Sequence, residues 1–396
     1  MFWNKKQDGF LARHPHIAYL DNACMTIRPK QVLDAMQTYY NDYPVCAGRS
    51  HHRFALLLDT QLQKARTTIA TFLGTTPEHI IFVKNATEAI NLVAHSLSFK
   101  RRDVILTSDK EHNSNLIPWL QLVEHKKVIH DIIRTKADNT FDMTALLDKL
   151  QEHEHIKLLS LVHSSNIDGV AFPIKEIVDM VKQKEILVMV DGAQAVGHMP
   201  VDVQALGVDF YAISAHKMYG PSGIGALYVK DLSLLDAFMV GGDTVQDATY
   251  TSFTFKEGVH KYEAGLQYYP GILGFAQACK HIQNIGFTTI QKQEKLCTTT
   301  VIEHLEPLIR ANKIRIIGPA QSNIVNVHVC GMDQQEVAQL LDKTYDIIVR
   351  AGMHCVHSWY HARGINGSVR ASFSYYNTVE QAKRFAQALQ DIIALQ

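Results

Sequence analysis

At 396 residues, with 46% hydrophobic side chains, the chain is long enough to bury one large core and a second, smaller one. Its 39 lysines and arginines balance 39 aspartates and glutamates, so no basic surplus points to nucleic acid as a partner, and no run approaches the ~18 to 20 apolar residues that span a bilayer. The start, Met1-Phe2-Trp3-Asn4-Lys5-Lys6-Gln7-Asp8, lacks the apolar core and cleavage pattern of a secretion signal, and a cytoplasmic protein without membrane association is expected.

The first strong strand signal is Ile80–Val83, and Asn85-Ala86-Thr87-Glu88 follows as the turn into a helix whose apolar residues Ala86, Ile90, Val93, Ala94 and Leu97 keep helical spacing. A helix start favours an anion, and Thr87 offers both its N–H and its hydroxyl; from this segment alone an ordinary N-cap reads equally well. Further strands are expected at 104–107, 158–162, 186–190, 210–213 and Gly225–Val229, with helical patterns between most of them. That alternation predicts an α/β fold, a mostly parallel sheet flanked by helices. After Gly271 the pattern changes to amphipathic helices at 272–285, Gln334–Tyr345 and 379–395, with strands at Ile314–Ile317, Ile324–Val329 and 369–374, which reads as a smaller α+β carboxyl-terminal domain.

Two of the strand ends carry unusual chemistry. Lys217 follows the apolar run Phe210-Tyr211-Ala212-Ile213 and opens the turn Met218-Tyr219-Gly220-Pro221-Ser222-Gly223. A lysine at the mouth of a buried sheet is costly unless it reacts, and imine formation with a carbonyl cofactor needs such an amine. Asp191 ends the run Ile186-Leu187-Val188-Met189-Val190, at the carboxyl edge where ligands bind in open α/β sheets. A carboxylate there can keep a pyridinium nitrogen protonated, so Asp191 and Lys217 suit the two ends of pyridoxal phosphate. Ser214 and His216 add donors beside the lysine.

The six cysteines, Cys24, Cys46, Cys279, Cys297, Cys330 and Cys355, stand singly, outside zinc or redox-dithiol spacing, and most are expected to pack as small reduced hydrophobes. The histidine pairs His51-His52 and His153 with His155 lack carboxylate or thiol partners at ligand spacing, and no metal is expected.

The segments Tyr19-Leu20-Asp21-Asn22-Ala23, Thr87-Glu88-Ala89-Ile90-Asn91-Leu92-Val93, Glu111-His112-Asn113-Ser114-Asn115, Val190-Asp191-Gly192-Ala193-Gln194, Ser214-Ala215-His216-Lys217-Met218-Tyr219-Gly220-Pro221 and Arg370-Ala371-Ser372-Phe373 together resemble the class V aminotransferase family of fold-type I pyridoxal phosphate enzymes, specifically its cysteine desulfurase and selenocysteine lyase branch. The resemblance implies a large cofactor-binding domain over residues 18–270, a small domain from 1–17 and 271–396, and a homodimer with each site at the subunit interface. It implies that Lys217 holds pyridoxal phosphate and moves the α-proton, that Asp191 holds the pyridinium proton, and that Asn166 and Gln194 bond the ring oxygen. His112 would stack on the ring, Thr87, Ser214 and His216 would bind the phosphate, and Arg370 would clamp the substrate carboxylate.

Cofactor and clamp alone leave the reaction open. Val349-Arg350-Ala351-Gly352-Met353-His354-Cys355 resembles the segment that carries the nucleophilic cysteine of desulfurases, which implies persulfide at Cys355 and L-alanine from L-cysteine, with L-selenocysteine as a possible second substrate and a protein thiol as sulfur acceptor. His354 and Arg350 are expected to lower the Cys355 pKa or steer an anionic substrate. The alternatives are another class V enzyme that does not use Cys355 and a scaffold without cofactor. Three segments depart from the family's pattern: Leu266-Gln267 replace its threonine for the neighbouring subunit's phosphate, Gly48-Arg49-Ser50-His51 keeps Arg49 as a cross-subunit contact without the preceding histidine, and Val356-His357-Ser358-Trp359 replaces the small, proline-rich continuation.

Overall fold

The computed structural model describes residues 9–320 and 322–395; residues 1–8, expected in the small domain, lie outside them. Seven strands form the larger sheet: β1 (Ile80–Val83), β2 (Val104–Ser108), β3 (Ile129–Ile133), β4 (Ile156–Val162), β5 (Leu187–Asp191), β6 (Phe210–Ser214) and β7 (Gly225–Val229), in the spatial order β1-β7-β6-β5-β4-β2-β3. The pairs β2/β3, β2/β4, β4/β5 and β5/β6 are parallel, and β7 alone runs against both its neighbours. Strand β3 is an addition to the sequence expectation. It lies at the sheet edge, where His130, Asp131 and the exposed Ile132 interrupt the apolar run that marks a central strand.

The apolar runs follow from coverage of both faces. Val104 and Leu106 of β2 pack with Ile80, Phe82, Tyr211 and Ile213 in one core, while Ile105 packs with Ile81, Val83, Phe210 and Ala212 in the opposite one. Successive side chains point to opposite faces, so a strand covered on both is mostly apolar, with polar residues such as Ser108, Asp191 and Ser214 at the carboxyl ends.

A second sheet of four antiparallel strands, β8 (Ile314–Ile317), β9 (Ile324–Val329), β10 (Arg350–Gly352) and β11 (Ser368–Ser372), has the order β8-β9-β11-β10. Val325, Val327, Val369 and Ala371 pack there against Val301, Leu305, Phe385 and Leu389 from the helices Phe287–Arg310 and Val379–Ala394. The latter helix starts in a capping box made by Thr378 and Gln381. Ala18–Tyr19 pairs parallel with Ile347–Ile348, and Ala18 and Leu20 join the same core, so the amino-terminal segment is packed into the carboxyl-terminal layer. The helix expected from 272 begins at Tyr269, with Pro270 in its first turn, where a missing N–H breaks no helix bond. Among the described residues no helix is long and apolar enough to cross a membrane.

Because β7 is the only reversed strand of this sheet, the carboxyl ends of β1, β2, β4, β5 and β6 share one edge. The loops after β2 and β4 are tied by a fully buried ion pair, Lys110 Nζ to the Asp168 carboxylate at 2.8 and 2.7 Å, with a further bond to Asn139 O at 3.2 Å. Removing one partner leaves a buried charge uncompensated, which typically costs ~3–5 kcal/mol. Asp168→Ala is therefore expected to lower the urea midpoint of the apo protein by an amount equivalent to ~3–5 kcal/mol; a midpoint unchanged from wild type would show that the pair does not hold these loops.

Candidate active site

A cavity of about 270 Å³ opens at this shared edge. Thr87, His112, Asn166, Asp191, Ser214, His216, Lys217, Arg350, Cys355 and Arg370 all border it, whereas Gln194 and Arg49 do not. Asp191 is the last residue of β5, 5% exposed, and its Oδ1 accepts the Ala193 N–H at 3.0 Å. Burial raises its carboxyl above the usual range, opposed by the charge of Lys217. Lys217 ends a single 3-10 turn after β6, and burial pulls its ammonium below the usual lysine range while Asp191 pushes it up. The turn is fixed by the Tyr219 N–H donating to Thr26 Oγ1 at 2.6 Å and by Gly220, where a Cβ would lie 2.8 Å from Ala215 Cβ and 2.9 Å from its carbonyl oxygen.

An anion cradle forms beside them at the start of the helix Ala86–Ser96. Asn85 caps it by accepting the Glu88 N–H at 3.1 Å, the Ala86 N–H donates to Ser214 Oγ at 2.9 Å, and the Thr87 and Ser114 hydroxyls meet at 2.7 Å. Ser114 was not singled out in the sequence; its only signal was its place two residues after His112. His112 Nδ1 accepts the Ser114 N–H at 3.1 Å. Burial first, then the positive charges of Lys217, Arg370 and Arg350, lower the ring's pKa to about 3. His216 is lowered to about 4 by burial and then by Lys217. Both rings are neutral near pH 7.

The opposite wall comes from the second sheet. Arg370 on β11 sits in register with Arg350 on β10 and is 2% exposed, which removes the surface ion pair as an explanation. Its Nη1 donates to Asn166 O at 2.8 Å and its Nη2 reaches Asp21 Oδ1 at 3.5 Å. Arg370 Nε and Asn166 Oδ1 are buried with no partner among the described residues. Two orphaned polar atoms in one wall point to a ligand.

Cys355 borders the cavity on a loop with φ of +49° at His354 and +59° at Cys355. Two consecutive non-glycine residues in the left-handed region are strained, and the loop is held by the Asn113 N–H on Cys355 O and by Asn166 Nδ2 on His354 O, both at 2.7 Å. His354 was expected to lower the Cys355 pKa or steer an anionic substrate; it is buried, its Nε2 pairs with Ser368 Oγ at 2.9 Å, and burial holds it well below the usual histidine range, which leaves it neutral. Arg350 was expected to serve Cys355, but its Nη1 donates to Cys24 Sγ at 2.9 Å. Cys24 itself lines the cavity, although no role was expected for it from the sequence. The one available signal was its position directly after Tyr19-Leu20-Asp21-Asn22-Ala23.

The Aminotransferase class-V family model matches residues 18–385. The chain belongs to that family. It lies in the cysteine desulfurase branch: a Pyrococcus abyssi protein named "Probable cysteine desulfurase" is 34% identical over 387 residues, covering 95% of this chain and 94% of its own length. The apo structure of a cysteine desulfurase from Thermococcus onnurineus superposes with a TM-score of 0.93 at 32% identity, covering 99% of this chain and 98% of the other. A cysteine desulfurase structure from Escherichia coli gives 0.89 at 27% identity with full coverage of both chains.

Against the class-V pattern, several side chains take other partners. Gln194 Nε2 donates to Ala23 O at 2.6 Å behind the cavity wall, with its Oε1 buried and without a partner. Arg49 forms a surface ion pair with Asp243 at 2.7 Å. Gln267 turns onto its own loop, donating to Ala264 O and Gly265 O, each at 3.2 Å. His153 gathers with Asp131 and Glu152, but the Lys149 ammonium lies 2.7 Å from Asp131 and 2.8 Å from Glu152, which makes the group an ion-pair network.

The low pKa of His112 has a direct readout. Its imidazole resonances are expected to stay constant from about pH 5 to 8, where an unperturbed histidine titrates; a titration centred near the ordinary histidine value would contradict the burial that sets its charge.

Proposed function

We propose that this chain is a pyridoxal phosphate-dependent cysteine desulfurase that converts L-cysteine to L-alanine and leaves the sulfur on Cys355 as a persulfide. The observation that carries the reading is that Cys355 shares one cavity with Lys217, Asp191 and Arg370. The residues fit the cofactor: Lys217 for covalent attachment, Asp191 for the ring nitrogen, Asn166 for the ring oxygen, His112 for the ring face, and Thr87, Ser214 and His216 for the phosphate. Gln194, committed to Ala23, is assigned to the wall that supports the ring. Bound pyridoxal phosphate supplies an electron sink for bonds at the substrate's α- and β-carbons.

Arg370, anchored by Asn166 O and Asp21, presents its remaining donors to the substrate carboxylate. Lys217, whose amine is easily deprotonated once buried, takes the α-proton. The Cys355 sulfur then forms an S–S bond to the substrate sulfur while the carbon–sulfur bond breaks. The electron pair of that bond remains with the β-carbon, which is protonated to the methyl group, Lys217 returns a proton to the α-carbon, and L-alanine leaves. L-selenocysteine presents the same amine, carboxylate and β-chalcogen, and we include it as a second substrate.

A homodimer is supported by the exposed apolar side chains Val240, Tyr250, Phe253 and Leu266, which a second copy would cover. Arg49 and the stretch 241–265 are assigned to that contact. A protein thiol is needed to collect the persulfide, since sulfane sulfur exchanges readily with thiols. Six cysteines without a disulfide suit a reducing cytoplasm. The expected domain bounds, 18–270 for the large domain and 1–17 with 271–396 for the small one, shift at both joints: the helix Tyr269–Ile285 packs Ile272, Phe275, Cys279 and Ile282 into the core of the larger sheet, and Ala18 and Leu20 belong to the core of the smaller one.

Cys355→Ala is expected to abolish alanine and sulfide release from L-cysteine plus a reductant, by ~100-fold or more, at equal cofactor content. Undiminished turnover would move the chain to a class-V enzyme that does not use Cys355. Arg370→Lys, which keeps the charge but loses the planar fork, is expected to raise KM for L-cysteine ~10- to 100-fold, as the loss of a charged hydrogen bond of ~1.5–3 kcal/mol requires; an unchanged KM would remove Arg370 from substrate binding.

A further inference from the structure

We infer that Cys24 is a second sulfur-handling residue of the cavity, which takes the sulfane sulfur from the Cys355 persulfide and holds it against Arg350. The inference rests on the desulfurase reading and extends it. Cys24 and Cys355 border the same cavity. The other cysteines of the interior differ: Cys279 and Cys297 lie within helices away from the cavity, and burial raises both thiols.

The surroundings of Cys24 fix its backbone and leave its sulfur on the cavity wall. Its N–H donates to Asp21 O at 3.1 Å, the preceding Ala23 N–H donates to Ser372 Oγ at 2.8 Å, and Gln194 Nε2 holds the Ala23 carbonyl at 2.6 Å. Thr26, two residues on, is joined to the lysine turn through its bonds to His216 O and Tyr219 N. The Arg350 Nη1 on Cys24 Sγ, at 2.9 Å, is a donor that suits sulfur bearing negative charge, as thiolate or as perthiolate. Arg370 Nε and Asn166 Oδ1, on two further residues lining this cavity, are buried without a partner among the described residues, which points to a ligand in the same space.

The step is thiol–persulfide exchange. Cys24 thiolate attacks the outer sulfur of the Cys355 persulfide, a Cys24 S–S bond forms, the Cys355 S–S bond breaks, and Cys355 leaves as thiolate. One sulfur atom and its proton change partner, and neither oxidant nor reductant is consumed. Cys355 is freed for a second substrate while the first sulfur waits beside Arg350 for an acceptor.

The test maps sulfur by position. Holoenzyme is mixed with equimolar L-cysteine without reductant, alkylated and digested, and the Cys24 and Cys355 peptides are compared by mass in wild type, Cys24→Ser and Cys355→Ser. The expected result is an added sulfur on Cys24 in wild type, on Cys355 alone in Cys24→Ser, and on neither peptide in Cys355→Ser. Alanine formed by wild type with sulfur confined to Cys355 would overturn the transfer while leaving the desulfurase reading intact. Sulfur on Cys24 in Cys355→Ser would overturn the order of transfer. Absence of alanine from wild type would overturn the desulfurase reading, and this inference with it.

Discussion

The cavity exists because all strands of the larger sheet but β7 run in one sense. Their carboxyl ends deliver the cradle at Thr87, the ring of His112, the amide of Asn166, the carboxylate of Asp191 and the amine of Lys217 to a single edge. Backbone direction alone would leave those loops loosely placed. The buried pair of Lys110 and Asp168 removes that freedom by fixing the His112 loop against the Asn166 loop, and Asn166 in turn receives Arg370 and holds the Cys355 loop through His354 O. The second sheet is thereby coupled to the first through hydrogen bonds that end at the cavity.

Burial then sorts the charges. His112, His216 and His354 are all driven neutral by desolvation, reinforced by neighbouring cations. The positive charge of the site is left to Arg350, Arg370 and Lys217, and the negative charge to Asp191 and Asp21. A cavity with that balance favours a ligand carrying both a phosphate or carboxylate and a ring nitrogen that accepts a proton. Neutral imidazoles, unlike cations, can stack on such a ring and pass protons without competing for its anionic groups.

Much of this was legible in the sequence because the chemistry demands unusual residues at defined places. A lysine and an aspartate at the carboxyl ends of two apolar strands have few structural reasons to be there, and the alternating runs fixed the strands that carry them. The edge strand β3 was not legible, since His130 and Asp131 break its pattern. The neutral state of His354 depends on its burial, which the spacing of Arg350, His354 and Cys355 does not reveal. Cys24 was hidden for a different reason: a single cysteine carries no signal until an arginine 326 positions away in the chain folds against it. Gln194, placed on the ring by resemblance, donates to the Ala23 carbonyl at 2.6 Å, and Ala23 rather than Gln194 borders the cavity, an arrangement that the spacing of the two in the sequence does not reveal.

The most direct measurement is chemical capture of the cofactor on its lysine: protein loaded with pyridoxal phosphate is reduced with borohydride, digested and mapped by mass spectrometry. The account predicts a single pyridoxyl modification, on Lys217. Modification spread over other lysines, or none at all, would contradict the claim that this sheet edge is built to hold the cofactor.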